Sequence, residues 1–454
     1  MNSHSRVLET FIAVQYLLNG ALLLPGTQPI RFIIRAAPYL LSLSLLLWSL
    51  GRKSKAPSPP GSIWMRLALL VLLLGLLHPD TQSVAGMAQL ALQLAIVAPV
   101  FWAARLVTAE AALLRLLRFL FLCSAIGSVV GILQIYYPQT FLPAEFSSAA
   151  GASWLNSLTF KSSSGEFLVR PPGLTDLPGG AAVAASFAAI LGLAFGASSR
   201  TRLWLRFAFL GGAGVGIAVL YLTQIRSLVV TTFLAILLLA AFSVCQRRAW
   251  STGWLAGASV VLILGAFAWA VAIGGEAVRA RFLEMADHGL AESFQSSRGW
   301  FWQYTFGEGV EQYPFGAGLG RWGMMNAYFA QPDNPGSQSL WAEIQLTGWL
   351  FDGGVALWIL YCGGLITSML FAARVACALS YGQAVPFAAA CIFAMNCTVI
   401  GASFAGPAFN TSLGMQYWLL IATLYGAARA VWRGPSQRQI RFDFVARPLR
   451  AEVT

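Results

Sequence analysis

The chain has 454 residues, of which 57% are hydrophobic and only 10% are charged. Because an ordinary soluble domain is roughly 25% charged, this composition excludes a soluble enzyme. The net charge of +12 comes from basic residues that form short clusters between apolar runs rather than a basic domain. This pattern predicts a role in membrane topology and no nucleic-acid partner.

Apolar runs recur from one end of the chain to the other, and each is long enough to cross a hydrocarbon core of about 30 Å as a helix. The sequence therefore predicts an all-α polytopic membrane protein with about 12 transmembrane helices and two large, partly helical outer loops. The predicted helices cover residues 8–24, 36–51, 63–77, 87–104, 119–136, 181–197, 203–222, 228–245, 253–273, 349–373, 384–401 and 413–431.

The basic residues predict the orientation of the chain. With the N-terminus in the cytoplasm, about 20 of the 29 Lys and Arg residues fall on the inner side of the membrane. The opposite orientation would place the densest basic clusters outside. The positive-inside rule therefore predicts that both termini are cytoplasmic.

Two predicted outer loops are long, at about 44 and about 65 residues. Loops of this length are usually functional or disordered, and their many aromatic residues argue against disorder. The stretch 279–304 has the apolar spacing of a surface helix interrupted near Gly289. The predicted segments are helices 1–5 in 1–136, the first outer loop in 137–180, helices 6–9 in 181–273, a large outer catalytic loop in 274–348, helices 10–12 in 349–431, and a basic cytoplasmic tail in 432–454.

Metal-binding patterns are absent from the sequence. The six cysteines include no C-x-x-C pair, and three scattered histidines are too few for a site built on imidazoles. We therefore predict no metal and no cofactor.

Arg226, in LTQIRSLVV, interrupts an apolar stretch that runs from Phe207 to Cys245. An ionisable residue at or near membrane depth is a functional candidate. The alternative is an arginine in a tight helical hairpin that extends its charge to the membrane surface. Because this turn is predicted to face outside, we favour the functional interpretation.

Two further arginines lie in the predicted outer loops. Arg170 begins RPPGLTDLPGG, where prolines fix the backbone and glycines allow close approach, so the turn is suited to anion binding. The alternative interpretation of the Arg170 turn is an ordinary loop whose arginine touches lipid headgroups.

Arg298, in QSSRGWFWQY, lies beside aromatic residues that can stack on sugars or cover a polyprenyl chain. Its alternative is a plain amphipathic interfacial helix.

The string YPFGAGLGRWG, residues 313–323, places several glycines around Arg321. A phosphate-binding glycine loop normally follows a strand, and no strand is expected before this one. We therefore predict that residues 313–323, which we call the glycine-rich loop, form a tight loop that packs on the outer helix ends.

Four acids of the same loop are candidate general bases beside these arginines: Glu308, Glu311, Asp333 and Glu343. Asp333 lies in the proline-bounded turn QPDNPGS, which would hold its carboxylate in a defined direction, although it is also placed to cap its own turn. Glu343 begins an apolar helix, where burial would make it a more useful base. Asp333 and Glu343 are the predicted catalytic residues, and of the two we slightly favour Asp333.

Four segments together resemble the O-antigen ligase and polymerase superfamily, whose members are membrane glycosyltransferases. RPPGLTDLPGGAA is similar to the family's Arg-x-x-Gly turn, and TQIRS to its Thr-x-Ser-Arg helix end. SSRGWFWQYTF with YPFGAGLG is similar to the Arg-to-Pro-x-x-Gly-x-Gly stretch of the large outer loop, and QSLWAEIQLTGWLFDGG to the segment that opens the next helix. The resemblance is strongest over residues 165–360.

The resemblance implies a polymerase that joins polyprenyl-pyrophosphate-linked oligosaccharides on the periplasmic face of a bacterial inner membrane. Fixed guanidinium groups neutralise a pyrophosphate leaving group without a metal, which suits an inverting transfer. The implied partners are the lipid-linked oligosaccharide, the lipid bilayer, and chain-length regulator and flippase proteins. The predicted pyrophosphate ligands are Arg170, Arg226 and Arg298, with Arg321, Arg279 and Arg281 in reserve.

The sequence departs from the family at one point. The ligases commonly carry a His-Asn pair before the glycine that matches Gly348, and Ser337 and Gln338 stand there instead. A ligase of the same fold remains an alternative, although a histidine base is missing. A lipid-linked oligosaccharide flippase or other transporter is the alternative from another class, and we expect such a protein to show broken helices and paired halves.

Overall fold

The structure is a computed structural model of the chain, and it describes residues 3–24, 26–51, 58–142, 159–161, 167–175, 179–199, 201–329, 339–378 and 383–432. Sixteen α-helices lie in these ranges. They are α1 Ser3–Ala13, α2 Arg31–Leu50, α3 Ser62–Gly75, α4 Ser83–Val97, α5 Pro99–Trp102, α6 Glu110–Tyr136, α7 Pro138–Phe141, α8 Gly180–Ala197, α9 Leu203–Thr223, α10 Arg226–Cys245, α11 Ala249–Phe306, α12 Glu308–Gln312, α13 Gly323–Phe329, α14 Gln345–Cys377, α15 Ala384–Ser403 and α16 Ser412–Trp432.

The chain is a polytopic helical membrane protein. Within the described residues, nine helical segments are long and apolar enough to cross a membrane. Three other predicted spans are helical but are not among these nine, and they correspond to α1, α3 and α16. Of these, α3 has 14 residues. The count of 12 spans therefore stays a prediction.

The fold is helical, as predicted, and the first long loop adds one short hairpin. Strand β1, Thr159–Lys161, pairs antiparallel with β2, Phe167–Val169, in the first long loop. Each strand has three residues. So short a strand is too brief for a period-two alternation of apolar residues to be recognised in the sequence.

The most buried span is α8, which lies at the centre of the bundle and is covered by α6 and α9. Small residues permit this packing. A Cβ on Gly192 would lie 2.5 Å from the backbone oxygen of Phe209, and one on Gly216 would lie 2.6 Å from that of Ala185. Close backbone approach is a principal source of helix association in lipid, because apolar side chains gain little from leaving an apolar solvent.

The helix α11 has 58 residues and runs through the predicted boundary at residue 274 without ending. Its apolar part, Ser251–Ile273, is a candidate span. The remainder forms much of the second long loop, so a membrane helix and a loop helix are one continuous element. Gly289 has a φ of +75°, which interrupts regular helical geometry at the predicted position.

The helix α14 begins at Gln345, four residues before its predicted start, and is broken at Gly353 and Gly354. Gly354 has a φ of +66°, and the glycine-rich loop enters this break. Val355 N donates to Pro314 O at 3.0 Å, and Ala317 N donates to Phe351 O at 2.7 Å. The loop therefore supplies hydrogen bonds to backbone groups that the break would otherwise leave unpaired in an apolar region.

Candidate functional site

A cavity of about 580 Å³ lies at the end of the bundle that carries the two long loops, which we call the loop end. Both loops contribute to its lining. The turn before α8 supplies Arg170, Leu174 and Thr175, and the second long loop supplies Arg298 and Glu343. The cavity therefore joins segments that are more than a hundred residues apart in sequence.

Several helices begin at the wall of this cavity. Gly180 is the first residue of α8, Ser412 is the first residue of α16, and Ser227 belongs to the first turn of α10. The first turn of a helix has backbone N–H groups without intrahelical partners and carries a partial positive charge. The convergence of these ends makes the cavity favourable for an anion.

Arg170 is held by a rigid turn. Gly173 N donates to Gln134 Oε1 at 2.8 Å, and Gln134 Nε2 donates back to Gly173 O at 2.9 Å. Ala181 N also donates to Pro171 O at 3.2 Å, which ties the turn to the start of α8. Gln134 is buried in α6. The backbone at Arg170 is therefore fixed by a membrane span as well as by the prolines of its own turn, which were the predicted constraint.

Arg298 and Glu343 form an ion pair in the cavity lining. Arg298 Nη2 lies 2.7 Å from Glu343 Oε1, and the two side chains are 24% and 33% exposed. The pair is accessible from the cavity, so an incoming anion can compete with Glu343 for the guanidinium. Of the two predicted catalytic residues, Glu343 lies in the site, whereas Asp333 lies outside the described residues.

Arg226 is the first residue of α10, and its neighbours Ile225 and Ser227 line the cavity. The side chain of Arg226 is itself half-buried and is not part of the lining. Two residues earlier, Gln224 has a φ of +54° and caps the end of α9. The tight turn predicted here is therefore present, at the edge of the cavity.

Arg321 lies elsewhere. It is buried, its Nη1 donates to Ala317 O at 3.0 Å, and the same atom lies 3.7 Å from Asp80 Oδ2. These contacts fix the glycine-rich loop instead of facing the cavity. A Cβ on Gly320 would lie 2.5 Å from the backbone of Ala85, so the prediction of a packing loop is confirmed.

The other candidates of the second long loop are not brought into the cavity. Glu308, Glu311 and Arg279 are exposed and are not part of its lining. The side chain of Arg281 and residues Ser337 and Gln338 lie outside what the structure describes.

Aromatic residues surround the Arg298 segment. Trp300 stacks on Tyr304 with ring centroids 5.3 Å apart, and Trp341, which is 74% exposed, lines the cavity. Partial burial, with the nearby Tyr313 and Glu308, raises the pKa of Tyr304 above its ordinary value. Flat, exposed rings of this kind suit contact with sugar faces or isoprene units.

A polar network that the sequence did not predict lies beneath the glycine-rich loop. Gln89 Nε2 and Trp322 Nε1 each donate to Asp352 at 2.8 Å, and Tyr361 donates to Gln93 at 2.6 Å. A signal was present, because Asp352 is an acid within an otherwise apolar span. The network lies at the break in α14.

Polar residues of the first and last helices were missed as well. Gln15, Tyr16 and Gln416 line the cavity although each lies in a predominantly apolar segment. The glutamines had a recognisable signal, since a polar side chain at membrane depth is unfavourable without a specific role.

Within the described ranges, no group of three or more His, Cys, Asp or Glu side chains could hold a metal ion.

The sequence was compared with known proteins. No family model matches the chain, and no curated protein matches it. The resemblance to the O-antigen ligase and polymerase superfamily therefore stays a prediction.

Proposed function

We propose that this protein is a membrane glycosyltransferase that polymerises polyprenyl-pyrophosphate-linked oligosaccharide units. One observation carries the proposal: Arg170 and Arg298 face a single cavity at which α8 and α16 begin. Two guanidinium groups and two helix N-termini suit a pyrophosphate, since each favours negative charge and the arginines bind phosphate oxygens in a bidentate way.

The same residues suit the transfer of a sugar with inversion. An acceptor hydroxyl oxygen attacks the anomeric carbon, and the bond from that carbon to the pyrophosphate oxygen breaks. The electron pair leaves with the pyrophosphate, whose growing charge the arginines stabilise. The hydroxyl proton passes to a carboxylate, for which Glu343 is the group in the cavity.

The ion pair between Arg298 and Glu343 suggests how the base becomes available. In the free protein the carboxylate is occupied by the guanidinium at 2.7 Å. A pyrophosphate that binds Arg298 would replace Glu343 as its partner. The carboxylate would then be free to accept a proton from the hydroxyl, so donor binding and base activation would be coupled.

Apolar residues next to the charged ones support a lipid-linked donor. Leu174, Ile225, Leu228 and Leu413 line the same cavity as Arg170. A soluble sugar nucleotide needs no such surface, whereas the first isoprene units of a polyprenyl chain would bury it favourably. The distribution of the basic clusters supports the proposal that the loop end faces the periplasm of a bacterial inner membrane, with both termini in the cytoplasm.

The test is synthesis by the purified protein in lipid nanodiscs. Given a polyprenyl-pyrophosphate oligosaccharide, the wild type should make longer lipid-linked chains without added divalent metal. Arg170→Ala and Arg298→Ala should each lower the rate by about ten- to a hundredfold, as expected for a charged hydrogen bond to the leaving group. Arg202→Ala, an exposed position outside the cavity, is the matched control.

The outcomes separate the alternatives. Transfer to a different lipid acceptor, with no elongation of lipid-linked chains, would indicate the ligase. Loss of product on chelation would contradict the metal-free mechanism. Equal rates for the cavity variants and the control would contradict the proposed site.

One observation favours a transporter as the second candidate. The span α14 is broken at Gly353 and Gly354 beside the buried Asp352, and broken helices with polar groups are typical of transporters. The glycine-rich loop fills this break, however, with the hydrogen bonds of Val355 N and Ala317 N. Translocation of a lipid-linked oligosaccharide into vesicles by the protein alone, without elongation, would establish transport.

A further inference from the structure

Part of the cavity lining is polar but uncharged, and the proposed pyrophosphate site does not use it. Gln15 comes from the segment after α1, whereas Thr411, Ser412 and Gln416 come from the start of α16. Carboxamide and hydroxyl groups bind neutral hydroxyl and carbonyl oxygens well, because they offer donors and acceptors without a net charge. The cavity therefore offers two different chemistries to one ligand.

The backbone at Gln15 is irregular. The helix α1 continues as a π-helical turn, Val14–Leu18, that contains Gln15 and Tyr16. Turns of this type are rare within helices and are frequent at functional sites. The turn is fixed by its neighbours, since Asn19 Nδ2 donates to Gln15 O at 2.7 Å and the Tyr16 hydroxyl lies 3.1 Å from Ser124 Oγ.

The carboxamides of Gln15 and Gln416 are paired across the two ends of the chain. Gln416 Nε2 donates to Gln15 Oε1 at 3.0 Å, and the residues are 5% and 2% exposed, respectively. Gln15 Nε2 is buried and has no hydrogen-bond partner among the residues that the structure describes. An unpaired buried donor is unfavourable, so this amide requires an acceptor that the described protein does not supply.

We propose that Gln15 and Gln416 form a subsite for the sugar joined to the pyrophosphate, and that they bind its hydroxyl or acetamido oxygens. This inference rests on the proposed function, because the arginines must hold the pyrophosphate of the same ligand. Gln15 Nε2 donates to a sugar oxygen. Gln416 Nε2 orients the Gln15 carboxamide by donating to Gln15 Oε1. The arginines contribute affinity for every pyrophosphate lipid, and the glutamines distinguish a lipid that carries a sugar from one that does not.

The experiment compares three lipids by their binding to the full-length protein in nanodiscs. The probes are undecaprenyl pyrophosphate and the same lipid carrying either galactose or N-acetylglucosamine. The wild type should bind at least one sugar-bearing lipid more tightly than the bare lipid. Gln15→Met, which keeps the length and removes the amide, should reduce that preference by about three- to tenfold, as expected for one neutral hydrogen bond. Its affinity for the bare lipid should change less than twofold.

The controls keep the two proposals separate. Gln139→Met changes an exposed glutamine outside the cavity and should retain the preference. Gln416→Met tests the same subsite from another helix, and binding of the bare lipid reports whether each variant is folded. If the wild type binds none of the lipids, the proposed function is wrong. If the wild type binds the bare lipid without a preference for sugar, or if both glutamine variants keep the preference, the subsite is wrong and the pyrophosphate site stands.

Discussion

Arg298 Nη2 lies 2.7 Å from Glu343 Oε1, and this contact joins the loop part of α11 to the residues just before α14. It sets a predicted pyrophosphate ligand beside a predicted base. Because both side chains are partly exposed, such a pair contributes only about 0–1 kcal/mol to the free energy of unfolding. Its role is therefore better tested through turnover than through stability.

Glu343→Gln should leave the protein folded and should lower the rate of chain elongation by about 10²- to 10⁴-fold, the range typical of general base catalysis. The matched variant is Asp333→Asn, which changes the other candidate. Because Glu343 lies in the cavity, we expect the larger effect there. Rates of elongation should be measured from about pH 6 to 8. Full rates for both variants would show that no carboxylate base is needed and that the arginines and positioning are sufficient.

Arg226→Ala should impair turnover without impairing folding. An arginine is unfavourable by about 2.5–3.5 kcal/mol at the centre of a membrane helix, and by less near its end, so its removal does not destabilise the span. The variant should be produced at wild-type levels and show less polymer synthesis. Wild-type synthesis by a normally produced variant would mean that Arg226 is only an anchor at the membrane surface.

The comparison for that variant is Arg321→Ala, which should behave in the opposite way. Arg321 is 7% exposed, and its Nη1 donates to Ala317 O, so its loss leaves a buried carbonyl without this donor. We expect a decrease of about 1–3 kcal/mol in the free energy of unfolding. Turnover per folded molecule should be unchanged. If Arg321→Ala loses turnover and keeps full stability, Arg321 contributes to the proposed site.

Gly354→Ala should prevent normal folding. Gly354 has a φ of +66°, and an added Cβ would lie 2.1 Å from Pro314 O. A strained backbone together with a clash against backbone atoms should cost at least about 3 kcal/mol. The control is Gly265→Ala in α11, where an added Cβ would meet nothing within 4 Å. Thermal unfolding in detergent checks both, and an equal melting temperature for the two variants would contradict the account of the break.

Trp322→Phe should destabilise the junction between the glycine-rich loop and α14. The substitution removes the donor that lies 2.8 Å from Asp352 Oδ1 and leaves a buried carboxylate less fully bonded. The expected loss is about 1–3 kcal/mol in the free energy of unfolding. Asp352→Asn should also destabilise the protein. The asparagine amide would direct its own hydrogens at one of the two donors, Gln89 Nε2 or Trp322 Nε1, so that one hydrogen bond is lost. The double variant should lose less than the sum, since the two changes remove a shared contact. Trp204→Phe, at an exposed position, is the control.

Much of the architecture was predictable from the sequence, because in lipid a chain must satisfy its backbone hydrogen bonds locally. Each predicted apolar run is helical, and the interruption near Gly289 and the packing of the glycine-rich loop were also predicted. The hairpin of β1 and β2 was not, since strands of three residues carry too weak a pattern. The prediction ended a helix within α11 because the run of apolar residues ends at the membrane surface. The backbone hydrogen bonds of the helix continue beyond that point.

The composition of the cavity was decided only by the tertiary structure. The sequence favoured Arg170, Arg226 and Arg298 as pyrophosphate ligands and kept Arg321 in reserve. Packing brings Arg170 and Arg298 to the cavity, whereas Arg321 fixes a loop. The contact between Gln15 and Gln416 joins residues separated by 401 positions, which no local pattern can predict. Periodicity reports which face of a helix is apolar, but which helix ends meet depends on long-range packing of backbones at small residues such as Gly192. The sequence therefore determined the helices and the candidate chemistry, and the packing of the helices determined which candidates share a cavity.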